Sequence, residues 1–167
     1  MSISNDVLRA WVRPRAVMRR LLDAGEKENR ALAILMAGCL LIFVGQWPRL
    51  VRLSEGFDLP AGAEASELSQ LIAYSLVSWL IVWPLILYIF AGITLTLARA
   101  VKGRGTGYGA RLALFWAVLA SSPAALLYGL LAGFNGETIG TQVVGAVWLA
   151  GFAWIWVQSL RESESGN

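Results

Sequence analysis

The chain has 167 residues, of which 57% are hydrophobic and 15% charged, with a formal net charge of +3. Soluble domains average about 45–50% apolar and about 25% charged residues, and a domain of this size buries only about 70% of its unfolded surface. Lipid must therefore solvate much of this chain, which excludes a soluble enzyme, a disordered protein and a disulfide-stapled secreted module. There is no His and one Cys, Cys39, so His-based acid–base chemistry, a Cys–His nucleophile pair and the usual zinc sites are excluded too. No catalytic residue, cofactor site or metal site is expected.

Residues 1–30 form a polar, basic segment. Within it, Pro14 to Gly25 reads as a short amphipathic helix. Pro14 suits the first helical position, and Gly25 suits the stop. At about 100° per residue, Val17, Met18, Leu21, Leu22 and Ala24 share one arc, and Arg15, Arg19, Arg20 and Asp23 fall on the other. Such a helix is expected in the membrane interface, its leucines at the acyl boundary and its arginines at anionic headgroups, with Trp11 as an anchor. The alternative is a helix that only packs under the bundle and fixes topology. About thirty mostly polar residues precede the first apolar run, so the first span is expected to be retained and not cleaved as a signal peptide.

A membrane domain is expected over 31–160, with four spans at about 31–50, 68–100, 110–134 and 138–160, and a tail at 161–167. The second apolar run is long, roughly 45 Å as a helix, and Pro84 lies near its middle. Two short helices would each be too short to span, so one long, tilted, kinked helix is expected, with Leu68 to Ser78 at the interface. In the third span, Ser121-Ser122-Pro123 should kink the helix, and a nearby hydroxyl should satisfy the carbonyl that Pro123 frees. Small residues run down this span to Gly129 and Gly133, and the four-residue spacing resumes at Gly136 and Gly140. They are expected to let spans three and four approach closely, or alternatively to form a dimer seam. The short Asn135-Gly136 turn makes those two spans antiparallel neighbours.

Twelve of the fourteen Lys and Arg fall on one side of this arrangement and two on the other. The positive-inside rule puts both termini in the cytoplasm. The twelve Arg to two Lys suggest a GC-rich bacterial genome, hence a bacterial inner membrane. Basic residues beside membrane spans are explained by orientation and anionic lipid, so nucleic acid is not an expected partner. No Asp, Glu, Lys or Arg lies mid-span, which argues against ion-coupled transport. Among eight Trp, Trp47, Trp154 and Trp156 lie near span ends. Trp79, Trp83, Trp116 and Trp148 lie deeper, facing the bundle, another protein, or a pigment or quinone.

The loop Lys102-Gly-Arg-Gly-Thr-Gly-Tyr-Gly-Ala-Arg111 alternates glycines, but its spacing fits neither phosphate-cradling fingerprint. A flexible basic loop is expected. With the Pro14-Arg15 segment before the spans, and Tyr108-Gly-Ala-Arg111 leading into a helix with Trp116 and Pro123, the chain resembles the Yip1 family in its short bacterial form, over roughly residues 9–160. Eukaryotic Yip1 proteins are multi-span Golgi and endoplasmic reticulum proteins that bind Rab GTPases and serve vesicle traffic. This chain has four expected spans where that family typically has five, and it lacks the long cytosolic N-terminal region, so the resemblance does not carry Rab binding over. It implies no catalytic residues. The expectation is a non-enzymatic adaptor or accessory subunit, with the bilayer, a membrane-protein partner or a second copy of itself as partner. A transporter of a small neutral solute or lipid is the alternative.

Overall fold

The computed structural model describes residues 3–59, 62, 64–100 and 105–165. It contains α1 (Ile3–Val12), α2 (Pro14–Asp23), α3 (Glu28–Ser54), α4 (Leu68–Val77), a π-helical turn (Ser78–Val82), α5 (Trp83–Ala100), α6 (Gly107–Asn135) and α7 (Ile139–Ser165). No strand occurs among the described residues. Four helices are long and apolar enough to cross a membrane, as a multi-pass protein requires: Glu28–Ser54, Leu68–Ala100, Gly107–Asn135 and Ile139–Ser165.

The second of these is continuous through its proline. Pro84 has no N–H to give to the carbonyl of Leu80, and its ring crowds that carbonyl. The wide turn over Ser78–Val82 lies immediately before it, and the helix resumes with Pro84 buried. α6 also runs unbroken past its proline. There Ser122 Oγ donates to the carbonyl of Leu119 at 2.8 Å, the one Pro123 leaves without its N–H. The Ser121 hydroxyl similarly donates to Val118 O at 3.2 Å.

α6 is the central helix, lying against α3, α5 and α7. From Leu112 to Ser122 every residue is buried. Lipid tails are as apolar as leucine, so close packing holds helices together there, and α3 and α6 meet at glycines. A Cβ at Gly38 would lie 3.0 Å from the Leu119 backbone nitrogen, and one at Gly45 3.2 Å from Leu126 Cα. In return, a Cβ at Gly129 would run into the Gly45 carbonyl and one at Gly133 into Pro48. Gly129 and Gly133 of the third span thus face α3, and not α7 as expected from the sequence. Gly140 is exposed, and a Cβ there would meet only Thr138 Oγ1, at 3.8 Å. Gly136 ends α6 with φ +69, a left-handed value suited to glycine, and its N–H donates to Ala132 O at 3.1 Å.

One end of the bundle gathers residues from the first and last parts of the chain. Arg30 donates to Leu21 O (2.5 Å), Gly25 O (2.9 Å) and Tyr108 Oη (3.0 Å). Arg111 pairs with Glu28, the Thr106 hydroxyl donates to Glu26 Oε1 at 3.1 Å, and the Gly105 N–H donates to Glu164 Oε2 at 2.8 Å. The part of the basic loop at 101–104 lies outside the described residues. At the other end Arg52 pairs with Asp58 at 2.5 Å and Arg49 with Glu137 at 3.5 Å.

Candidate functional site

α1 and α2 fold as a hairpin at the end that holds the last turns of α7. Pro14 opens α2, and Gly25, at φ +86, follows its end. The apolar arc read from the sequence is turned onto the protein. Val17 and Met18 are buried, and Leu21 and Leu22 pack against the same core as Leu35, Leu112 and Phe115.

The arginines on the other arc, expected at headgroups, meet side chains of this chain. Arg15 Nε donates to Gln158 Oε1 at 2.8 Å, and Arg19 pairs with Glu162 at 2.6 Å. Both pairs are spaced by four residues on each helix, so α2 runs alongside the last turns of α7. Arg20 pairs with the buried Asp6 of α1, closing the hairpin. Trp11, expected as an interfacial anchor, reaches into the bundle instead. Its indole N–H donates to Ala120 O at 3.0 Å, and its ring lies against Gly151, where a Cβ would collide with it. Ala120 is thirteen residues into α6, about 20 Å along the axis. Between α1 and α2 lies a groove of about 650 Å³ lined by Asp6, Leu8, Arg9, Val12, Arg13, Ala16, Val17 and Arg20.

The second site lies among the spans, toward the end away from α1 and α2. A cavity of about 370 Å³ is lined by Gln46 and Arg49 of α3, Trp79 of the π turn, Trp83 of α5, Ser121 and Tyr128 of α6, and Trp148 of α7, with Ile42, Leu87, Val118, Leu149 and Phe152. Trp79 stacks on Trp83 with centroids 5.3 Å apart and planes at 18°, and Tyr128 stacks on Trp148 at 6.0 Å and 27°. Gly145 lies under Tyr128, where a Cβ would be 3.0 Å from Cε2. Of the deep tryptophans, Trp79, Trp83 and Trp148 gather here, whereas Trp116 is sealed in the core. In the sequence Gln46 stands out only as the polar residue at the end of the first apolar run, and nothing marks Tyr128. At the opposite end, a further cleft of about 590 Å³ lies between α5 and α7, lined by Phe90, Ile93, Thr94, Leu97, Ala98, Trp156, Leu160, Arg161, Glu164 and Ser165.

No group of three or more His, Cys, Asp or Glu able to hold a metal occurs among the described residues. The chain matches no protein-family model, no curated protein and no solved structure.

Proposed function

We propose that this chain is a non-enzymatic integral membrane protein, an adaptor or accessory subunit of an assembly in a bacterial inner membrane, built like the short bacterial Yip1-type proteins. One observation carries the reading. The second span exposes Ile81, Leu85, Ile89, Ile93 and Leu97, each over half or more of its surface. Their four-residue spacing makes a straight apolar ridge of the kind that packs into the groove of another helix. Only Pro84, Ala91 and Thr94 of α5 are buried. In this reading both termini are cytoplasmic, and the groove between α1 and α2, with Arg9, Arg13 and Arg20 among its lining, meets anionic lipid.

The test places a photo-crosslinking residue at Ile89 or Ile93 in native membranes. The expected product is a discrete protein adduct at both ridge positions and none at the exposed Val143 of α7. Adducts to lipid alone at the ridge would overturn the reading, and an adduct of twice the chain mass would identify the partner as a second copy. The cleft between α5 and α7, apolar along its length with Arg161 and Glu164 at one end, favours lipid or neutral-solute transport as a second reading. Scrambling no faster than in empty liposomes would reject it.

A further inference from the structure

We propose that the aromatic cavity between α3, α6, α7 and the π turn binds the ring of a quinone-class isoprenoid dissolved in the membrane. Polar groups lie here in an apolar place. Gln46 is half-buried near the end of the apolar run of α3, and its amide has no hydrogen-bond partner among the described residues. The Tyr128 hydroxyl likewise has none. Arg49, which lines the same cavity, makes a long contact to Glu137 and no other polar contact among the described residues. Amides and hydroxyls gain from a partner when water is scarce, and all three groups can donate. They therefore suit a ligand that carries acceptor oxygens.

The rest of the wall decides what kind of ligand. Trp79 on Trp83 and Tyr128 on Trp148 form two stacked pairs, and aromatic faces prefer offset stacking against another flat ring. The volume falls within the range of about 300–1,000 Å³ usual for small-molecule sites. An anionic phospholipid head suits the place less well, because the Glu137 carboxylate lies 3.5 Å from the single cation. A neutral ring with two carbonyl acceptors meets no such repulsion. Trp79 also belongs to the π-helical turn, a departure from α geometry that is frequent at functional sites.

The test uses the full chain in liposomes of neutral phospholipid, with a short-chain isoprenoid naphthoquinone as the probe and tryptophan fluorescence as the readout. Wild type should show saturable quenching. Gln46→Leu and Tyr128→Phe should each weaken the apparent affinity about three- to tenfold, as loss of one hydrogen bond does. Both substitutions keep the wall apolar, so the fold is retained, and an unchanged melting temperature checks this. A spin-labelled phospholipid should quench wild type and both variants alike. Quenching that rises linearly with quinone content, as partition into the bilayer alone would give, overturns the proposal. So does saturation that is the same in wild type and both variants, and so does saturable quenching by the spin-labelled phospholipid that the two variants weaken.

Discussion

Gly129 has no room for a methyl group. Its place against the Gly45 carbonyl means that Gly129→Ala must push α3 and α6 apart, and overpacking of this kind costs about 1–3 kcal/mol. Gly140→Ala, in open space, should change stability by less than about 0.5 kcal/mol. Thermal unfolding of the detergent-solubilised variants separates the two, and equal losses would mean that the stripe does not pack as described. Trp11→Phe tests the second close contact. It keeps most of the ring against Gly151 but removes the bond to Ala120 O, with an expected loss of about 0.5–1.5 kcal/mol. The four-residue spacing of Gly129 and Gly133 was legible in the sequence. Their partners were not, because Gly45 and Pro48, which answer them, sit in a span read only for its hydropathy.

α2 is held to α7 by charges of unequal exposure. The Arg19 side chain is 70% exposed and that of Glu162 only 6%. Removing the arginine leaves a buried carboxylate unpaired, whereas removing both groups does not. Arg19→Gln should therefore destabilise more than the double variant Arg19→Gln/Glu162→Gln, and the cycle should show a coupling of about 0.5–1 kcal/mol, the range of partly exposed pairs. Additive losses would show that the pair does not hold the helix. The helix itself was readable from Pro14, Gly25 and the apolar arc between them. Its docking was not, since Gln158 and Glu162 lie 143 residues away from their arginines and nothing local marks them. α1 was not legible: its apolar face of Val7, Ala10 and Trp11 is only three residues, and what it packs on lies far along the chain. Pro84 signalled a disturbance in the second span, and the form it takes, a wide turn just before the proline, depends on where the ring crowds the backbone.

At the scale of the whole molecule, the four long helices were legible because hydropathy is a local property and a span demands about 20 apolar residues in a row. The end that gathers α1, α2 and the last turns of α7 also holds most of the described basic residues, so the positive-inside rule gives its expected side. In a Cys39→Ser background, Glu55→Cys should react with an impermeant maleimide in intact cells, and Glu26→Cys only after permeabilisation. The reverse pattern would invert the topology. Arrangement around α6 leaves one flank of the second span exposed among the described residues, and the proposed adaptor role rests on that flank. The mass of the particle released from native membranes by mild detergent, with detergent subtracted, measures this most directly. The account predicts a discrete assembly well above the 18.1 kDa of one chain that falls apart when Ile89 and Ile93 are replaced by Trp. A lone monomer from native membranes would contradict it.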